Sequence, residues 1–277
     1  MRLIISIAIF LILKNINAIG QTWTPIIKDK EIIIKGFIDD EQLKKYPDSA
    51  VEVNVSVSTF PSGMVMDNFI TYKTSVRNLE NFKFIIPITQ QRLFMRIDYN
   101  SLNSLFYWSG HENIYILEPG DNIECILTSK YFYFKGKGSE KLNCQSEIYN
   151  HRNKNRNLQL LNIDPKRYYE LEEQASDSIL DLRLKTIAKY SKYLTIEQVN
   201  ILKANSFGLK DYPFHRGLNL KLSNSSHLSL YYNSNRFKFA DFRLLEELSE
   251  REIISSPNYI DNLFYYLFFK NYRLIVS

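Results

Sequence analysis

Val51-Glu52-Val53-Asn54-Val55-Ser56-Val57-Ser58 sets four valines at every second position, with polar residues between them. A period of two puts the valines on one face of a strand and the polar residues on the other, the pattern of a half-buried antiparallel strand. The same period recurs in short segments at 31–38, 68–74, 82–87, 93–99, 104–108, 114–117, 123–128 and 131–134. Turn-forming residues separate them at Tyr46-Pro47-Asp48, Pro61-Ser62-Gly63 and Pro119-Gly120-Asp121. In Glu118-Pro119-Gly120-Asp121, Pro fixes φ at the second position and Gly tolerates positive φ at the third, which favours a type II turn. No helix-period segment lies between the strands, so a parallel α/β sheet is disfavoured. An antiparallel β-sandwich over 21–138 is predicted.

After Gly138 the period becomes 3.6. Ser139 is placed to cap a first helix running through the 140s. Asp164-Pro165 offers a capping carboxylate and a proline at the first helical position. Tyr168, Leu171, Ala175, Ile179, Leu182 and Ile187 then follow one helical face. Thr195 and Gln198 form a capping box for the next helix. The stretch 208–235 is rich in Asn, Ser, Gly and Pro and reads as loop, and Ser256-Pro257 opens a last helix. The fold class is therefore α+β: an N-terminal antiparallel β-sandwich over 21–138 followed by an all-helical C-terminal region over 139–277.

The first 20 residues have another character. Arg2 is basic, and from Leu3 to Leu13 only Ser6 is polar. Lys14 and Asn15 end the run, and Ala18-Ile19-Gly20 supplies small residues at a cleavage site. This is the layout of a secretory signal peptide over 1–20, and it implies export to the periplasm or cell envelope. The run is shorter than the roughly 20 apolar residues needed to cross a bilayer, and no transmembrane segment is expected in the mature chain.

Charge and motifs exclude several chemistries. Residues 21–138 carry 13 basic and 14 acidic side chains, and 139–277 carry 20 and 16. Neither half has a basic stripe, which disfavours nucleic acid as a partner. His111, His151, His215 and His227 show no zinc-ligand spacing, so no metal is expected. His111-Glu112 reads as a strand-edge pair, not an acid–base dyad. Gly136-Lys137-Gly138-Ser139 lacks the spacing of a phosphate loop and reads as a strand end before a helix. Gly120 and Asp121 are accounted for by turn chemistry without a ligand. Asp39-Asp40, Glu172-Glu173 and Glu246-Glu247 read as solvated carboxylates. There is no Gly-x-Ser-x-Gly elbow and no Cys-x-x-Cys pair. Cys125 alternates with Ile123 and Leu127 as a core position. In an oxidising compartment Cys125 and Cys144 form a candidate disulfide across the boundary. No catalytic residue and no cofactor is assigned.

The order of three short stretches carries a resemblance. Lys35-Gly36-Phe37-Ile38 ends a strand. Ile114-Tyr115-Ile116-Leu117-Glu118-Pro119-Gly120-Asp121-Asn122-Ile123 follows, and Phe134-Lys135-Gly136-Lys137-Gly138-Ser139-Glu140-Lys141-Leu142-Asn143 leads into helices. From about residue 31 onward the chain resembles the N-terminal β-sandwich and helical region of exported TlpA-like, thioredoxin-family disulfide reductases. The export signal, the β architecture and the missing redox motif point to a non-catalytic accessory module that binds an envelope protein or a small envelope ligand. The resemblance implies a truncated or split thiol–disulfide reductase component as an alternative. No redox residue carries over, because the chain lacks the dithiol. A glycan-binding module using Trp23, Trp108 or tyrosines is a further alternative.

The junction carries its own expectations. Pro119-Gly120-Asp121 is expected to close the final large hairpin. Phe134 is expected to pack under the first helix, and Ile126 to be covered from the helical half through Leu142. The segment 135–139 is too short to let two domains drift apart. For the leader, the chain recovered from an envelope fraction is expected to begin near Gln21. N-terminal mass spectrometry checks this, and an intact Met1 in a cytoplasmic fraction would contradict export.

Overall fold

A computed structural model describes residues 30–41, 43–46, 48–59, 69–88, 90–99, 114–128, 132–151 and 165–219, together with 249, 252, 255–257, 259 and 260. Side chains are described from residue 31 onward and, between 165 and 219, for 174–210. The strands are β1 (Lys30–Ile38), β2 (Val51–Ser58), β3 (Ile70–Val76), β4 (Phe82–Ile88), β5 (Leu93–Tyr99), β6 (Tyr115–Leu117), β7 (Asn122–Leu127) and β8 (Phe132–Lys137). The helices are α1 (Ser139–Asn150), α2 (Pro165–Tyr190) and α3 (Ile196–Asn219). The fold is α+β, with the strands preceding the helices. The segments 104–108 and 61–63 lie outside the described residues.

The strands form two four-stranded sheets, ordered β4-β1-β7-β8 and β3-β2-β5-β6. Alternation decides which residues face inward. Val51, Val53, Val55 and Val57 are buried, as are Phe82, Phe84, Ile86 and Ile88 on β4. Ile32, Ile34, Ile123, Cys125 and Leu127 join them in one continuous core between the sheets. Five of the six strand pairs are antiparallel; β1 and β7 pair in parallel, Ile34 opposite Ile123. Local alternation does not reveal this exception. It arises because the chain visits the second sheet before β7 returns to lie beside β1, and a parallel pair needs such a long crossover.

The turn at 118–121 makes that return. The Asp121 N–H donates to the Glu118 carbonyl at 3.1 Å, and Gly120 sits at φ 80°, as a type II turn requires. It does not close a hairpin, contrary to the sequence reading. β6 pairs with β5 and β7 with β1 and β8, so the turn carries the chain from one sheet to the other. The final hairpin is β7–β8.

Helix α1 closes the side of the sandwich where β6 and β8 end their sheets. Asn143 Nδ2 donates to the Phe134 carbonyl at 2.7 Å, and Asn143 Oδ1 accepts the Phe134 N–H at 2.9 Å. Gln145 repeats this on the other sheet, donating to the Ile114 carbonyl at 2.9 Å and accepting the Ile116 N–H at 3.0 Å. Residues two apart on a helix point about 200° apart, so one turn of α1 reaches both sheets. Phe134 is buried against Tyr115, which stacks edge-on with Tyr149 of α1. Phe134 thus packs at α1 as expected. Ile126 does not: its partner across the strands is Tyr133, on the outer face, and Ile126 stays half-buried there while Leu142 enters the core. The helix seals an edge and leaves the face alone.

Two helix boundaries differ from the sequence reading. The N-cap of α1 is Gly138 at φ 89°, and Ser139 is the first helical residue with no cap bond. A Cβ at 138 would overlap the Asp121 carboxylate, so this position takes glycine. α3 continues through 208–219, read as loop, because Leu202 and Leu209 are anchored in the core and tertiary packing outweighs the breaker signals of Gly208 and Pro213. The capping box at Thr195 is formed, with Thr195 N–H to Gln198 Oε1 at 3.0 Å and Gln198 N–H to Thr195 Oγ1 at 3.2 Å. Pro165 opens α2, and Pro257, Tyr259 and Ile260 are helical.

Replacing Gln145 with leucine leaves the buried Ile116 N–H without a partner. A loss of about 1–3 kcal/mol is expected. Urea unfolding followed by both helical and aromatic signals checks it. One transition is expected in both signals, because Leu142, Ile187 and Leu202 share the core of the strands.

Candidate functional site

Among the described residues, a group of charged side chains lies where the inter-sheet turn meets the helices. Arg92 stands just before β5, Glu118 and Asp121 flank the turn, Lys141 is in the first turn of α1, and Glu197 is in the first turn of α3. Lys141 Nζ lies 2.8 and 2.6 Å from the two Asp121 carboxylate oxygens and 3.2 Å from Glu118. Arg92 contacts Glu118 at 3.2 Å through Nε and Glu197 at 2.7 Å through Nη2, and donates to Ser255 Oγ at 3.2 Å. Gln198 Nε2 donates to Glu118 at 2.6 Å, and Asp121 Oδ2 accepts the Glu118 N–H at 2.8 Å. The Lys141 and Arg92 side chains are only 4% and 6% exposed, so both cations are buried, while Glu118 and Glu197 keep part of their surface in water.

Electrostatics follow from that burial. Glu118 would be pushed up by desolvation, but Lys141 and Arg92 outweigh it and hold its carboxyl below the ordinary range. For Asp121 burial prevails over Lys141, and its pKa is raised. The group clasps the turn, α1, α3 and the segment at 255 together. Its chemistry is spent on that clasp: Asp121, read from sequence as a turn residue, has its carboxylate engaged by Lys141. Sequence reasoning missed Arg92, Lys141 and Glu197. One signal was available, since a lysine in the first turn of a helix opposes the helix dipole and calls for a carboxylate nearby.

The other sequence candidates are dispersed. Cys125 and Cys144 are both buried and both free thiols, with no disulfide between them. Burial raises both pKa values, that of Cys144 up to about 12. His151 ends α1, its Nε2 lying 2.8 Å from Thr186 Oγ1, and burial lowers its pKa. Thr186 is itself buried, so this contact fastens α1 to α2. Asp40 is not solvated as the sequence suggested: it is 1% exposed and accepts the Tyr99 hydroxyl at 2.7 Å. Its place at the end of β1 directs it inward over β5. Gly136-Lys137-Gly138-Ser139 is the strand end before α1. His111, Glu112, His227, Trp23, Trp108 and Glu246-Glu247 lie outside the described residues, as do the side chains of His215, Glu172 and Glu173. Among the described residues no group of three or more His, Cys, Asp or Glu is placed to hold a metal ion, and no helix is long and apolar enough to cross a membrane.

The outer faces of the two sheets differ. On the β3-β2-β5-β6 sheet, outward-facing Phe94, Ile114 and Ile116 are buried together with Ile201 of α3. On the β4-β1-β7-β8 sheet the outward side chains are uncovered by these helices. Ile85 is 47% exposed and Tyr133 46%, with Ile33, Phe37 and Ile126 half-buried beside them. Lys35, Lys83 and Lys135 are exposed on the same face. Comparison with protein-family models, with curated proteins and with solved structures finds no match for this chain.

Replacing Lys141 with methionine leaves the buried Asp121 carboxylate without its ammonium and removes one of the two cations beside half-buried Glu118. A loss of about 3–5 kcal/mol is expected near neutral pH. Without the ammonium both carboxyl pKa values move up. The deficit therefore shrinks as pH falls and these groups bind protons in the folded state. In the parent chain the sign at Glu118 is opposite. Its folded pKa lies below the ordinary 4.5, so its contribution is present above that value and is lost as pH falls through the lower one. Urea unfolding of both proteins across the acid range checks the crossing trends.

Proposed function

We propose that this chain is a non-catalytic binding protein of the cell envelope, and that the outer face of the β4-β1-β7-β8 sheet is its binding surface. The observation that carries this reading is uneven cover. α3 buries the outer residues Phe94, Ile114 and Ile116 of one sheet, while Ile85 and Tyr133 stay about half exposed on the other. A sheet face turned to water is ordinarily polar, whichever way its strands run. Five apolar side chains grouped on such a face favour contact with a partner. The leader-like residues 1–20 support export, and the resemblance to TlpA-like N-terminal regions supports an accessory role.

A split or truncated thiol–disulfide reductase component is the competing reading. Exchange needs an accessible thiolate. Cys125 and Cys144 are both 0% exposed, and their raised pKa values disfavour the thiolate further. This supports a core role for both.

The test pairs binding with turnover. Mature protein immobilised beside a Tyr133→Ser, Ile85→Ser variant is exposed to envelope extract. A partner retained by the parent and lost from the folded variant is expected. Insulin reduction that disappears on replacing Cys125 or Cys144 with alanine would overturn the reading.

A further inference from the structure

The pairing registers place the outward residues of the β4-β1-β7-β8 sheet in lanes that run across the strands. Lys35 is opposite Lys83 on one side and Glu124 on the other, and Glu124 is opposite Lys135. This makes one lane, Lys83–Lys35–Glu124–Lys135, with three lysines and one glutamate. Phe37, Ile126 and Tyr133 form the apolar lane on one side of it. Ile85 and Ile33 begin the lane on the other side, which continues through Asn122 to Lys137. Neighbouring lanes are two residues apart along each strand, or about 6.8 Å.

Resting on the binding-protein reading above, we propose that this face docks an extended, acidic segment of a partner protein. The geometry argues for extended backbone. A strand lying along β1 presents every second side chain to the face at the same spacing as the lanes. An apolar-x-acidic-x-apolar segment then sets its carboxylate on the lysine lane and its apolar side chains on the lanes either side. Charge argues for acidity. A second copy docked face to face would bring lysine lane against lysine lane, and like charges across an interface are unfavourable. Glu124 argues against a continuous anionic surface. It interrupts the lysines, which suits a partner whose charges are discrete and separated by neutral positions. The flanking apolar lanes supply contact area, while the lysines supply orientation and partner choice.

The experiment uses the isotope-labelled mature chain and three probes. One is a soluble peptide with the alternation Ile-Thr-Glu-Thr-Val, the second is its lysine-for-glutamate counterpart, and the third is a phosphatidylglycerol vesicle. Amide shifts caused by the acidic peptide are expected on Lys35, Phe37, Lys83, Glu124 and Tyr133, and to be absent with the lysine peptide. A Lys35→Glu, Lys135→Glu variant with an unchanged fold is expected to bind the acidic peptide about tenfold more weakly, and affinity to fall with added salt. Equal binding by this variant, shifts confined to another surface, or no binding of the acidic peptide would overturn the proposal. So would vesicle binding through Lys35 and Tyr133 without peptide binding, which would assign the face to membranes. These failures leave the broader reading open to its own test, since a partner retained through Tyr133 and Ile85 does not depend on the lysines.

Discussion

Two amide side chains, Asn143 and Gln145, stand where two further strands would otherwise be needed. A strand at the end of a sheet presents N–H and C=O groups that must find partners, and such an edge invites unwanted pairing. In this protein β8 ends one sheet and β6 the other, on the same side of the sandwich. Asn143 satisfies both groups of Phe134, and Gln145 satisfies Ile116 N–H and Ile114 C=O. Tyr149 adds its hydroxyl to the Ile114 carbonyl at 2.6 Å. Each amide does what a neighbouring strand would do. Because one helix performs both tasks, the distance between the sheets is tied to the width of α1.

That constraint explains the ionic clasp. α1 must start where the inter-sheet turn passes, because both lie at the junction of the sheets. Its first turn is therefore buried against Glu118 and Asp121, and Gly138 is needed for the approach. A lysine there pairs the turn's carboxylates, and Arg92 extends the pairing to α3 through Glu197. Buried ion pairs are not in themselves strong sources of stability, since desolvation offsets most of the attraction. Their value here is one of geometry: a misplaced helix would strand charges in the interior.

The same constraint decides which surface remains for function. α1 is held at the edges and α3 is drawn over Phe94 and Ile116. Among the described residues, the outer face of the β4-β1-β7-β8 sheet keeps Ile85, Tyr133 and its lysines exposed. In the clasp and at Cys125 and Cys144, burial and neighbouring charges shift pKa values without creating an accessible reactive group. Strong pKa shifts mark functional sites in many proteins, but structural ion pairs shift them as well.

Local patterning was enough to determine the class of fold. Alternation at Val51–Ser58 and its neighbours depends only on which face of a strand is apolar, and Thr195 with Gln198 depends only on four consecutive residues. Both are short-range properties, and both are found in the structure. The parallel pairing of β1 with β7 and the passage of residues 118–121 from one sheet to the other were decided by tertiary structure. So was the continuation of α3 past Pro213. Each depends on which distant strand or helix lies alongside. Ile126 shows the difference in a single residue. Its sequence neighbours established that it faces away from the core, but whether a helix would cover it depended on where α1 docks. Asn143 and Gln145 drew α1 to the edges, because unpaired backbone groups there demanded partners and the apolar side chain of Ile126 did not.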